Sequence, residues 1–145
     1  MTGDKKQIPK KPALLPSQED YEALSDFRYS IRCFLEFSEN AAREAGLTPH
    51  QHQALLAVKG FPPGTAVTIG DLAERLRIRH NSAVELVDRL AEAGLLLRSA
   101  DALDNRRVLL HLSEMADGIL SDLSAVHLDE LSRLRPVLKG LLRRI

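Results

Sequence analysis

Apolar residues recur at three- and four-residue spacing between Ser17 and Ala45: Tyr21, Leu24, Phe27, Ile31, Phe34 and Leu35 fall near one face with Ser38. That period predicts an amphipathic helix. Ser17 with Asp20 three residues on is a start signal, and Gly46 a stop. A second helix is expected from Thr48, since threonine caps, Pro49 suits the first helical position and Gln51 completes a capping box. It directs Leu55, Leu56 and Val58 inward and ends at Gly60, before a Phe61-Pro62-Pro63-Gly64 turn that cannot be helical. Val67-Thr68-Ile69 suits a very short strand. Thr68 and Asp71 then cap a third helix, with Leu72, Ala73 and Leu76 as its buried stripe. Arg77 to His80 makes a turn with Ile78 inward. A fourth helix is predicted from His80 to Ala93, apolar at Val84, Leu86, Val87, Leu90 and Ala91, and terminated by Gly94. The β-prone runs Leu95–Arg98 and Val108–Leu112 flank turn residues Ser99–Arg107 and read as a hairpin. Ser113 and Glu114 open a leucine-rich helical region in which Gly118, Pro136 and Gly140 are places for bends. It holds too much leucine for a solitary surface helix. It needs a partner, and with the first helix it forms the expected dimerisation element.

The 145 residues suit one domain, large enough to bury roughly 68–70% of its unfolded surface. Residues 1–16 hold Lys5, Lys6, Lys10, Lys11, Pro9, Pro12 and Pro16, the composition of a flexible basic tail. Residues 17–145 form the domain: a reading head at about 47–112, between dimerisation helices at about 17–45 and 113–145. There is no long apolar run and no secretory h-region, so the expected location is the cytoplasm, without membrane contact. The fold class is mainly α, with one small hairpin (α+β).

A helix pair followed by a hairpin with Arg106 and Arg107 near its tip is the outline of a winged helix-turn-helix, a reader of double-stranded DNA. The fourth helix, at about 1.5 Å per residue, is roughly 20 Å long and suits a major groove. Charge complicates the picture. The chain has no net charge, and Thr68–Ser113 carries seven arginines against seven acids. Only segregation on the surface can make a basic face.

The string LTPHQHQALLAV…TIGDLAERL…SAVELVDRLAEAGLLLR, followed by Asp-x-x-Asp-x-Arg and Leu-x-Leu-Ser, resembles the MarR family of bacterial transcriptional regulators. The resemblance covers about Ser17 to Ile145. It implies a winged-helix homodimer with interlocked N- and C-terminal helices, a recognition helix in each major groove and a wing at the minor groove. It also implies a repressor on an inverted repeat that responds to a small aromatic ligand. His80, Asn81, Ser82 and Glu85 match the start of the recognition helix. Asp104 and Arg106 match the wing motif, in which the arginine enters the minor groove and the aspartate helps hold it. Arg89 and Arg98 match arginines with backbone or wing-supporting roles. Three residues depart from the pattern. Asn105 stands where the wing has an arginine, with Arg107 as a substitute. Glu85 stands where a basic or hydroxylated residue is usual, and Arg79 where a Ser or Thr cap is common.

Other chemistry is weakly supported. Cys33 is the sole cysteine, so no disulfide is expected, and it reads as a packing residue. The alternative is a redox sensor, which needs a neighbour that lowers the thiol pKa. His50 and His52 diverge on their helix, His80 lies at the DNA face, and His111 and His127 meet only if the fold brings them together. The chain therefore reads as having no metal site and no cofactor. No phosphate loop, nucleophile elbow or HExxH motif appears, so no catalytic residues are assigned and the chain reads as a non-enzyme. Zero net charge and Glu85 leave open a winged-helix dimer that binds protein instead of DNA.

Overall fold

The computed structural model describes residues 14–145. The tail expected at residues 1–16 lies, up to residue 13, outside the described residues. Helix α1 (Gln18–Glu44) opens the described fold. Ser17 caps it through a reciprocal box with Asp20, and Gly46 leaves it at φ 83°, a left-handed conformation that glycine adopts without a Cβ penalty. Helix α2 (Pro49–Lys59) starts with the Thr48–Gln51 box and proline in its first turn. Helix α3 (Ile69–Leu76) starts with the Thr68–Asp71 box and ends at Arg77, which takes a left-handed φ of 56°. Helix α4 (His80–Glu92) follows, and Gly94 closes it at φ 72°. Strands β1 (Leu96–Ala100) and β2 (Val108–Leu112) pair antiparallel, with Leu96 opposite Leu112 and Ala100 opposite Val108. Helices α5 (Glu114–Ser132) and α6 (Arg135–Leu142) complete the chain, α5 being capped by Ser113.

The core lies under the helix pair and the hairpin. Leu55, Leu72, Val87, Leu90, Leu96 and Leu110 are its largest fully buried side chains. At about 1.5–3 kcal/mol for each fully buried aliphatic side chain, this cluster is the main driving force for the reading head. The sheet reaches α3 through a single bridge, Thr68 to Leu109, supported by a 2.8 Å bond from the Leu110 N–H to the Val67 carbonyl. Helix α2 is central: it packs on α1 and α5 at one side and on α3, α4 and β2 at the other.

Several expectations are corrected. Leu56 is exposed, because the inward line of α2 runs through His52, Leu55 and Val58. The strand expected at Val67–Ile69 shrinks to the bridge at Thr68, and Ile69 already belongs to α3. The first hairpin strand runs one to two residues later than expected, since Ser99 and Ala100 find partners in Leu109 and Val108. Gly118 and Gly140 lie inside α5 and α6 without breaking them. The break comes at Arg133–Leu134, where Pro136 cannot supply the N–H that α5 would need to continue; the same proline fits the first turn of α6.

Helix α1 buries only Ala42 completely. It packs on α5 and α6, half-burying Phe27, Phe34 and Phe37, while Tyr21, Leu24, Ile31 and Leu35 stay exposed. Arg144 ties the two ends of this arm together, lying 2.9 Å from Asp20 and 3.3 Å from Glu19. The Ser17 backbone N–H, and after it Arg144, hold the Asp20 carboxyl below the usual carboxylate range.

Candidate nucleic-acid interface

The start of α4 is fully presented to solvent. His80, Asn81, Ser82 and Glu85 are all exposed, while Ala83, Val87 and Leu90 on the opposite face anchor the helix in the core. Arg79 occupies the cap position in extended conformation and supplies no side-chain hydrogen bond. The N-termini of α1, α2, α3 and α5 are each closed by a Ser or Thr hydroxyl. At α4 the first-turn amides instead stay open, with the positive end of the helix behind them, an arrangement that favours an anion. Glu85 is one turn further on and brings a negative charge to the same face.

The wing is shaped by its aspartates. Asp104 Oδ1 accepts the Arg106 backbone N–H at 3.0 Å, and the Arg107 N–H donates to the Asp104 carbonyl. Asp104 therefore builds the turn that presents Arg106. It holds Arg106 through the backbone N–H and not through the guanidinium. Asp101 Oδ1 accepts the Leu103 N–H at 3.0 Å, and its other oxygen lies 3.9 Å from Arg107 Nη1. Among the described residues Arg106 has no side-chain partner, whereas Arg107 is engaged within the loop. The geometry separates two neighbours that the sequence presents as equivalents.

Arg98 and Arg89 also separate. Arg98 Nη1 lies 2.6 Å from Asp88 Oδ1, so β1 is tethered to the exposed face of α4, two turns beyond Asn81. Arg98 supports the wing's position relative to the helix. Arg89 is exposed on α4 and engages no carboxylate among the described residues. Asp88 and Asp101 are paired with Arg98 and Arg107, while Asp71 closes a cap and Asp104 a turn. Each ion pair removes one arginine with its acid, so a basic face depends on where Arg89 and Arg106 stand and not on an excess of free arginine.

Residues 45–107, the segment that contains α2 to α4, β1 and the wing loop, match the model of the MarR family. Residues 45–107 are a MarR-family segment. A curated relative, described as a candidate transcriptional regulatory protein for the hcr operon of Thauera aromatica, is 28% identical over 86 residues, 59% of this chain. The chain spans about half the length of that relative, 50% of it. MarR-type winged helices are also its structural likenesses. MepR of Staphylococcus aureus aligns at TM-score 0.69 with 18% identity, covering 80% of this chain and 82% of MepR. A MepR variant solved bound to an oligodeoxyribonucleotide aligns at TM-score 0.65 with 20% identity, over 78% of this chain and 79% of that one. AbsC, a MarR family regulator of Streptomyces coelicolor, aligns at TM-score 0.66 with 18% identity, over 83% and 80%. At these identities the structures establish the fold.

Beyond the MarR-family segment, three findings bear on the weaker candidates. Cys33 is exposed in the single chain, which corrects the expectation of a packing residue. Its thiol lies one turn from Tyr29, whose phenol it pushes above the ordinary tyrosine range. Among the described residues no three His, Cys, Asp or Glu side chains gather as a metal site, and no helix is long and apolar enough to cross a membrane. His127 does find a histidine partner, but it is His52 and not His111. Sequence spacing could not signal that pair, since its members lie on α2 and α5.

Proposed function

We propose that the chain is a sequence-specific DNA-binding transcriptional regulator that works as a homodimer on an inverted-repeat operator, as a ligand-responsive repressor. The observation that carries this reading is the shared exposure of the uncapped α4 start and of Arg106 on a wing whose other charges are occupied. In this reading Asn81 and Ser82 meet base edges and phosphates, since an asparagine amide matches the adenine edge. His80 and Arg89 contact the backbone. Glu85 accepts from a cytosine amino group. Arg106 enters the minor groove, where narrowing concentrates negative potential. Asp104, Arg98 and Arg107 shape and hold the wing.

Dimerisation draws support from the arm. Leu24, Leu35, Val126, Leu128 and Leu131 are exposed on α1 and α5, more apolar surface than a lone helix pair presents to water. A two-fold dimer then sets its recognition helices about 34–36 Å apart, one turn of duplex. A groove of about 400 Å³ between α1 and α5, floored by Ala41, Ala45, Ile119 and Leu123, supports a small aromatic ligand. Glu44 and Asp122 border it, which favours a neutral or cationic ring over an aromatic acid.

The test is a gel-shift titration of the full chain against the DNA upstream of its own gene, at two salt concentrations. If the dimer neutralises about 6–10 phosphates, affinity falls roughly 10³–10⁵-fold between about 50 and 200 mM salt. A flat salt response, or no shift at low salt, rejects the reading. It would favour the second one, a protein-binding winged helix, for which Glu85 and the exposed Leu97 and Leu103 speak.

A further inference from the structure

Helix α2 is the element through which the reading head meets the helical arm, because it packs on α1 and α5 and also on α3, α4 and β2. His52 lies on α2 and is the one polar side chain buried in the core of the described residues, 4% exposed. His127 of α5 lies against it, with ring centroids 4.8 Å apart and planes tilted by 48°. From α1, Phe34 and Phe37 meet the His127 ring edge-to-face, at 5.9 and 5.5 Å. Three helices therefore converge on one imidazole pair.

His127 is held at both nitrogens. Nδ1 is 2.6 Å from the Leu123 carbonyl and Nε2 is 2.7 Å from Ser38 Oγ. A carbonyl oxygen only accepts, so Nδ1 carries the hydrogen. In the neutral ring Nε2 accepts from the Ser38 hydroxyl. In the imidazolium it donates to the same oxygen, and the hydroxyl hydrogen rotates away. His127 thus takes a proton with no heavy atom displaced. His52 has no such provision, since its ring has no hydrogen-bond partner among the described residues. Burial, and after it positive charge on His127, hold the His52 imidazole below its ordinary range. The groups in contact with His127 are Phe34, Phe37 and Ser38 from α1 and the Leu123 carbonyl from α5, and among the described residues His127 is the one charged group that acts on His52. Two protons on rings this close, without a counter-ion, oppose each other.

We infer that the His52–His127 pair is a proton-operated joint between the reading head and the helical arm. The second proton drives α2 away from α5 and changes the separation at which a dimer holds its two recognition helices. The inference rests on the DNA-binding reading for its readout, but not for its chemistry. The direction follows from linkage. His52 is harder to protonate in the packed arrangement, so the opened arrangement binds more protons. The packed state is fully favoured above the ordinary imidazole value of 6.5 and is lost as the pH falls through the lower packed value of His52. Acidification therefore weakens operator binding. Protonation of the exposed His80 at the α4 start works the other way, because it adds positive charge at the phosphates. The sign of the pH response separates the two histidines.

The experiment uses the full chain and the DNA fragment upstream of its own gene, at about pH 7.5 and pH 5.5, either side of the imidazole range. Wild-type affinity is expected to fall at the lower pH, and His52→Gln to remove the fall. His52→Phe, which keeps an aromatic body without a titrating nitrogen, serves if the glutamine variant does not fold. Wild-type affinity that is unchanged or stronger at low pH, or a variant that keeps the wild-type response, overturns the inference. If no fragment binds at either pH, the DNA reading fails and an NMR titration of the free protein decides the joint. Backbone shifts in α2 and α5 that follow the His52 titration, and vanish in the variant, support it. Shifts confined to the imidazole rings overturn it.

Discussion

Replacing Arg106 by alanine removes a guanidinium that has no side-chain partner within the described chain, from a turn held by backbone and aspartate contacts. Folding stability should therefore move by no more than about 0.5 kcal/mol, the usual range for a surface substitution. The cost falls on binding. A charge-assisted hydrogen bond contributes about 1.5–3 kcal/mol. A dimer carries two wings, so the loss is about 3–6 kcal/mol, or roughly 10²–10⁴-fold in affinity. The slope of log affinity against log salt should also flatten by about 2, one charge per subunit. Arg107→Ala behaves differently. Its partner Asp101 has a side chain only 13% exposed, so the variant leaves a partly buried carboxylate without its cation. That costs up to about 1 kcal/mol of stability, and less affinity than Arg106→Ala, since Arg107 is not free to reach the duplex. Fluorescence anisotropy with a labelled operator duplex, alongside urea denaturation, measures both effects. Arg106→Ala with wild-type affinity, or Arg107→Ala as the more damaging of the two, would refute this assignment of the wing.

Thr68→Ala removes half of the α3 capping box and should cost about 1 kcal/mol, read as a lower urea midpoint at unchanged slope; an unchanged midpoint contradicts the capping argument. Arg79→Ser supplies α4 with the hydroxyl cap it lacks. Stability should rise by about 1 kcal/mol while operator affinity falls, because the hydroxyl occupies an amide and a positive charge is lost. A rise in both quantities would show that the open helix start is not part of the interface. Leu128→Glu places a charge on a side chain that is 68% exposed in the single chain. It should leave the helical circular-dichroism signal intact and halve the mass seen by sedimentation; a variant that remains dimeric moves the interface elsewhere.

What the sequence determined by itself is the set of features made by neighbours three or four residues apart. The boxes Ser17–Asp20, Thr48–Gln51 and Thr68–Asp71 close hydrogen bonds within one turn, so residue types and spacing suffice to locate three helix starts. Gly46 and Gly94 mark helix ends for the same local reason, and the exposed residues of the α4 start follow from the helical period of Ala83, Val87 and Leu90. Charge pairing was not legible in this way. Arg89 and Arg98 both follow the α4 start and Arg106 and Arg107 are adjacent, yet among the described residues one arginine of each pair is committed to a carboxylate and the other is not. Which one is free depends on how strand, loop and helix are placed in space. The same holds for His52, which α2 alone presents as an unremarkable polar residue and which only the convergence of α1, α2 and α5 buries against His127. Local hydrogen bonding wrote the elements into the chain; the balance of free and neutralised charge, and the buried imidazole pair, exist only once those elements have packed.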